Sequence, residues 1–173
     1  MSIFTNQSTD QSSPSGGKSF ISSSNVTTSA GTINLYGIAG SAATQMGFNA
    51  TPAIGNNTPA GRLTIPANGA WYFVGRIVCA KSDLSNFTDA AGGPVAFDVA
   101  FACARGTLAS STTLIGTPTI TKVFGANNTG VTASNITITA DTTNGNIDIN
   151  VTGEATISYT FSAMLTFART GAY

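Results

Sequence analysis

A chain of 173 residues with seven basic and seven acidic side chains is long enough for one domain with a sizeable core. Charged residues make up 8% of it and sum to zero, which excludes the clustered basic face that neutralises nucleic-acid phosphates. Ser, Thr, Asn and Gly carry the polarity instead, and with no net charge little repulsion keeps copies apart, so self-association is easy.

Residues 1–19 are a low-complexity segment of Ser, Thr, Gln and Gly with Pro14 and Gly16-Gly17. Such a segment cannot bury enough apolar area to fold alone. Ile3 and Phe4 are its only large apolar side chains and stand at its tip. It reads either as a frayed terminus or as an extended arm, reaching roughly 60 Å, that docks Ile3 and Phe4 on a neighbour. Met1 to Asn6 have neither a basic n-region nor an apolar h-region, so no secretory signal is expected. No apolar run approaches the roughly 18 residues of a membrane span.

Residues 20–173 read as one β-sandwich domain. Phe20-Ile21, Val26-Thr27-Thr28, and then Ile33, Leu35, Tyr36 and Ile38 are strand-like. The connection from Gly40 to Gly61 is long for a loop and is expected to hold a short irregular strand. Arg62 to Pro66 is a short strand stopped by its proline, and Asn68-Gly69 makes a turn. From Trp71 to Ala80 the chain is apolar on both faces. That suits a central strand, or one whose outer face meets another subunit. Trp71, Tyr72, Val74 and Val78, together with Met164 later in the chain, are the candidate oligomer or shell contacts.

Lys81 to Gly93 is the most charged loop, with Asp83 and Asp89 around Leu84 and Phe87. After Pro94, the residues Val95, Phe97, Val99, Phe101 and Cys103 alternate with Ala96, Asp98, Ala100, Ala102 and Ala104. Cys79 and Cys103 fall on the apolar faces of strands that could pair, which leaves a disulfide open. Two reduced core thiols are the preferred reading, because a buried free Cys behaves as a small hydrophobe and two Cys do not make a disulfide scaffold. Thr113 to Pro118 and Thr119 to Phe124 read as two short strands around a Gly/Pro break, followed by an Asn-rich loop from Gly125 to Gly130.

Val131 to Ala168 is the most regular stretch and the one the rest is expected to pack against. Ile136 and Ile138 alternate with threonines, Asp141-Thr142-Thr143-Asn144-Gly145 turns the chain, and Ile147, Ile149 and Val151 follow with period two. The period resumes at Ile157 and runs through Tyr159, Phe161, Ala163, Leu165 and Phe167, with Met164 the one large apolar residue on the opposite face. Strict alternation with β-branched and aromatic enrichment is a strand signal. No helical period occurs. The whole reads as all-β, an antiparallel β-sandwich of jelly-roll-like type with an N-terminal arm.

No catalytic constellation is written in the chain. Without histidine there is no Ser-His or Cys-His pair and no His-ligated zinc. The cysteines give no metal spacing, and no phosphate-binding glycine loop is present. Asp83, Asp89, Asp98, Asp148 and Glu154 are the carboxylates from which a glycosidase pair would have to come. Each reads more simply as a surface or turn residue. The Asp141–Gly145 stretch has one carboxylate where a calcium loop uses several, so it reads as a turn. The expectation is a non-enzyme with no catalytic residue, no metal and no cofactor.

Three groups of residues carry a family resemblance: Leu63-Thr64-Ile65-Pro66-Ala67-Asn68-Gly69-Ala70-Trp71, then Leu114-Ile115-Gly116-Thr117-Pro118, and Ala140-Asp141-Thr142-Thr143-Asn144-Gly145 with Val151-Thr152-Gly153-Glu154. Over about Arg62 to Arg169 the chain resembles a β-rich domain of tailed-bacteriophage virion proteins, found at tail-fibre ends and in other surface-exposed structural proteins. In that family a Trp often occupies the final strand, where this chain has Tyr159. The resemblance implies a virion protein assembled in the bacterial host cytoplasm. With an arm rather than a fibre shaft ahead of the domain, the expected function is a capsid decoration or cement protein. Its partners would be itself, as a homotrimer, and the major capsid protein or another virion protein. The alternative is a tail-fibre or head-fibre tip that binds host surface glycans. Neither involves nucleic acid or membrane.

Overall fold

The computed structural model describes residues 28–48, 62–82 and 93–170. The expected arm with Ile3 and Phe4, the strands at Phe20 and Val26, and Asp83, Leu84, Phe87 and Asp89 all lie outside these. The described residues form nine strands: β1 (Thr28–Ala39), β2 (Thr44–Gln45), β3 (Leu63–Thr64), β4 (Gly69–Lys81), β5 (Val95–Arg105), β6 (Thr113–Phe124), β7 (Ile136–Asp141), β8 (Asn146–Val151) and β9 (Tyr159–Thr170). Two short 3-10 turns, Ala109–Ser111 and Ala133–Asn135, complete the regular structure.

The strands make two packed antiparallel sheets. One has five strands in the order β1-β9-β4-β5-β6. In the other, β7 pairs along the whole of β8, so β2 and β3 lie end to end along the opposite edge of β8, at Asn150–Val151 and at Asn146–Ile147. The sandwich expected from the alternation is what forms. Pairing of β1 with β9, and of β2 and β3 with β8, nests the chain as a jelly roll does, whereas β4, β5 and β6 run as a plain meander. The Val131–Ala168 stretch therefore serves both sheets, with its hairpin centring one and its last strand lying inside the other.

Period-two alternation decides what is buried. Tyr159, Phe161, Ala163, Leu165 and Phe167 of β9 face inward, with Phe73 and Ile77 of β4 and Phe97, Val99 and Phe101 of β5 beside them. Ile136, Ile138, Ile147, Ile149 and Val151 close the core from the second sheet. Each such side chain contributes roughly 1.5–3 kcal/mol on burial. Phe73 stacks on Phe101 at 4.8 Å between ring centres and tilts against Phe167 at 5.9 Å, a geometry that adds to area burial. The β7–β8 turn closes at Gly145, whose φ of 74° suits glycine. Asp141 supports it by accepting the N–H groups of Thr143 and Asn144 at 2.9 and 3.1 Å.

Two expectations need correction, and the preferred reading of the cysteines holds. Thr113–Phe124 is one strand, not two. The Gly116-Thr117-Pro118 break is absorbed as a bulge, where the register jumps from Ala102↔Ile115 to Ala100↔Thr119. The final strand starts at Tyr159 rather than Ile157, because Gly153 and Glu154 hold a loop in which the Glu154 N–H donates to the Ile157 carbonyl. The strands of Cys79 and Cys103 do pair, but the register sets Cys79 opposite Val95 and Cys103 opposite Trp71. Eight residues at about 3.3 Å each separate them, far beyond the roughly 7 Å that a disulfide spans. Both thiols are free and buried.

Candidate functional site

Alternation along β4 turns Trp71, Phe73, Ile77 and Cys79 into the core and leaves Tyr72, Val74, Arg76 and Val78 on the outer face of the five-stranded sheet. Registers of the neighbouring strands lay out that face row by row. Tyr72 sits between Ala168 of β9 and Ala102 of β5, Val74 between Thr166 and Ala100, Arg76 between Met164 and Asp98, and Val78 between Ser162 and Ala96. Further out, Ile115 of β6 follows Ala102 and Phe124 follows Ala96.

Small residues surround the large ones, so nothing in the chain's own sheet covers them. Tyr72 is 51% exposed, Val74 45%, Val78 45% and Met164 58%. Four of the five expected contact residues thus share one apolar face. The fifth, Trp71, does not belong to it. Only 2% exposed, it points into the core, since one residue along a strand is one change of face.

One ion pair crosses the face. The Arg76 Nε donates to Asp98 Oδ1 at 2.8 Å, and this hydrogen bond and the carboxylate's charge hold the guanidinium still more firmly in its charged form. Five strands about 4.8 Å apart and about twelve residues long at about 3.3 Å each span roughly 900 Å². That is the scale of one side of a standard protein–protein interface, about 800 Å². Ile115 and Phe124 belong to the same face and escaped the sequence reading, because the Gly/Pro break hid the continuity of their strand.

The second sheet presents a different outer surface. Gln45, Asn146, Asp148 and Asn150 stand on its side away from the core, where Gln45 and Asn146 are nonetheless buried and Gln45 Nε2 donates to Asp148 Oδ1. Burial, followed by the charge of Asp141, raises the Asp148 carboxyl above its ordinary range. Asp141 is shifted downward, chiefly by the side chain of Asn144 and also by backbone N–H groups and Arg62. Asp98 and Asp148 lie on opposite outer faces and make no pair. Glu154 accepts from the Tyr159 hydroxyl, which is also reached by Asn128 Nδ2 at 3.3 Å. Asn128 is itself fully buried and holds the loop after β6 by donating to the Gly93 carbonyl at 2.8 Å.

Compared with protein-family models, with curated proteins and with solved structures, the chain matches none. The class it can be placed in is the one its fold defines, an all-β protein built as an antiparallel sandwich with one exposed apolar sheet face.

Proposed function

We propose that the chain is a structural protein of a bacteriophage virion, a decoration protein of the head shell that assembles with copies of itself through the outer face of the five-stranded sheet. The observation that carries this reading is the roughly 900 Å² face on which Tyr72, Val74, Val78 and Met164 stand exposed among alanines, serines and threonines. Charge complementarity favours a second copy as occupant. Arg76 and Asp98 lie side by side near the middle of the face, so a facing copy supplies the opposite charge to each. The expected assembly is a homotrimer with its three faces turned to a common axis. The resemblance of Arg62 to Arg169 to virion surface domains supplies the setting.

Light scattering of the full chain at micromolar concentration tests the assembly, with a trimer mass expected and a monomer counting against it. Mixing the chain with head shells that lack it tests the setting. Binding is expected, and weaker binding once residues 1–19, which lie outside the described residues, are deleted. Attachment to tails alone would favour the fibre-tip alternative. A glycan-binding tip needs exposed aromatics for stacking on sugars, and Trp71, buried in the core, is not one of them.

A further inference from the structure

Among the described residues, the buried side-chain atoms with no hydrogen-bond partner are Trp71 Nε1, Arg105 Nε, Arg169 Nε and the hydroxyl of Thr112. They are not scattered. Arg169 is the register partner of Trp71, Arg105 that of Gly69, and Thr112 immediately precedes Thr113, the partner of Ala104. All four therefore lie at one end of the five-stranded sheet, three on the adjacent strands β9, β4 and β5 and Thr112 just ahead of β6. Buried polar groups are nearly always satisfied, so four unmet atoms at one place form a pattern.

The chemistry of the group is one-sided. Three are N–H donors that cannot accept, and the fourth is a hydroxyl able to donate. The charges are one-sided as well. Arg62 and Arg76 pair with Asp141 and Asp98, whereas neither Arg105 nor Arg169 pairs with a carboxylate of the described residues. The Arg169 guanidinium lies 5.1 Å over the Trp71 ring. Arg105 is anchored, its Nη1 donating to the Ile65 carbonyl at 2.7 Å. Two glycines make the room. A Cβ on Gly69 would come within 2.8 Å of Trp71 and 3.1 Å of Arg169 Nε, and one on Gly145 within 2.3 Å of Arg105 Nη1. Both arginines are only partly buried, so part of each side chain remains in reach of solvent beside the buried unmet atoms.

We propose that this end of the sandwich is a binding site for an oxyanion, a phosphate, sulfate or carboxylate group, held by Arg105 and Arg169 on either side of the Gly69–Trp71 end of β4. Two like charges in a half-buried setting are costly unless compensated, and an oxyanion supplies both the charge and the acceptors that the three N–H groups lack. The site lies on the opposite side of the sheet from the exposed apolar face and does not depend on what that face binds.

Trp71 is the only tryptophan in the chain, so its fluorescence reports on this site alone. The full chain is titrated with inorganic phosphate, with sulfate and with glucuronate, at ionic strength held constant with chloride. A saturable change in emission and a rising melting temperature with at least one of them are expected. A response to phosphate or sulfate points to a free ion, and one to glucuronate alone to the carboxylate of an acidic sugar. Arg169→Gln should weaken the response roughly tenfold or more. A response matched by chloride, no saturation with any of the three, or unchanged affinity in Arg169→Gln would overturn the proposal. Should that variant not fold, the titration of the parent chain decides alone.

Discussion

Val74→Glu separates the two faces of β4 in one experiment. Val74 is 45% exposed, flanked by Ala100 and Thr166, and central on the outer face. Tyr72, Val74, Val78 and Met164 are each about half buried already. Covering the remaining half is worth roughly 1 kcal/mol per side chain, or about 4 kcal/mol per copy. The substitution removes one such share and puts a carboxylate where a facing copy excludes water, at a cost of several kcal/mol. At about 1.4 kcal/mol per factor of ten, association should fall by roughly a thousandfold or more.

In the lone chain the glutamate stays in water, and the changed strand preference amounts to about 1 kcal/mol or less. Phe73→Ala, one residue earlier, should do the opposite. Phe73 is fully buried and stacked on Phe101, so its truncation should cost roughly 3–5 kcal/mol of folding stability. Light scattering across a concentration series reads association, and urea midpoints read the fold. If Val74→Glu keeps the mass of the parent, or loses as much stability as Phe73→Ala, the assignment of the outer face to self-association is wrong.

Burial pushes both thiols up to about 12, so at neutral pH Cys79 and Cys103 should resist a thiol reagent until denaturant is added and then both react; fast labelling of either in the folded chain would contradict the core placement. Asp148 is raised by desolvation and by Asp141, so its ionised form weakens the fold above its folded pKa. Asp148→Asn should therefore stabilise at neutral pH, with the gain fading as pH falls toward the unfolded value of about 3.9; urea midpoints across pH check this, and a gain that grows toward acid would refute it. Gly75→Ala would put a Cβ 2.1 Å from the Met164 carbonyl oxygen and 2.8 Å from Leu165 Cα, backbone atoms that cannot step aside. Overpacking of roughly 1–3 kcal/mol or more should lower the melting temperature, and an unchanged melting curve would count against the β4–β9 packing.

What could be read from the residues was local. Alternation named the inward sets of β5, β8 and β9 almost residue for residue, because burial on one face imposes a period of two. The same rule already set Trp71 apart from Tyr72, Val74 and Val78. Grouping all four as contacts overlooked a parity that was visible in the numbers. Register between distant strands was not legible. Nothing near Cys79 or Cys103 states that eight residues of ladder separate them. Nothing near Arg105 or Arg169 states that they will flank the Gly69–Trp71 end of β4. The cysteine separation and the place of Arg105 are set by the β4–β5 register, and that of Arg169 by β9 inserting between β1 and β4, choices made by the summed core packing and not by any short motif. The Gly116–Pro118 break misled for a related reason. A glycine at φ 76° followed by a proline punctuates an isolated chain, yet beside β5 it becomes a bulge in a continuing strand.

That bulge also bears on how the sandwich assembles. A twelve-residue edge strand offers unpaired N–H and C=O groups to any chain that can add to it. β6 is such an edge, and it is interrupted along its length. Its register slips twice against β5, between Ala96 and Phe97 and between Ala100 and Ala102, and Pro118 has no N–H to offer. Lys122 turns its ammonium inward to the Asn128 and Val131 carbonyls, tying the strand to the loop behind it. At the other edge, β1 exchanges both backbone hydrogen bonds of Tyr36 with Gly47. Strand addition along β6 would have to undo these features, whereas stacking on the outer face requires no rearrangement of the sheet. Specificity for a partner then rests on which side chains stand out from that face, and a single charge at Val74 is enough to test it.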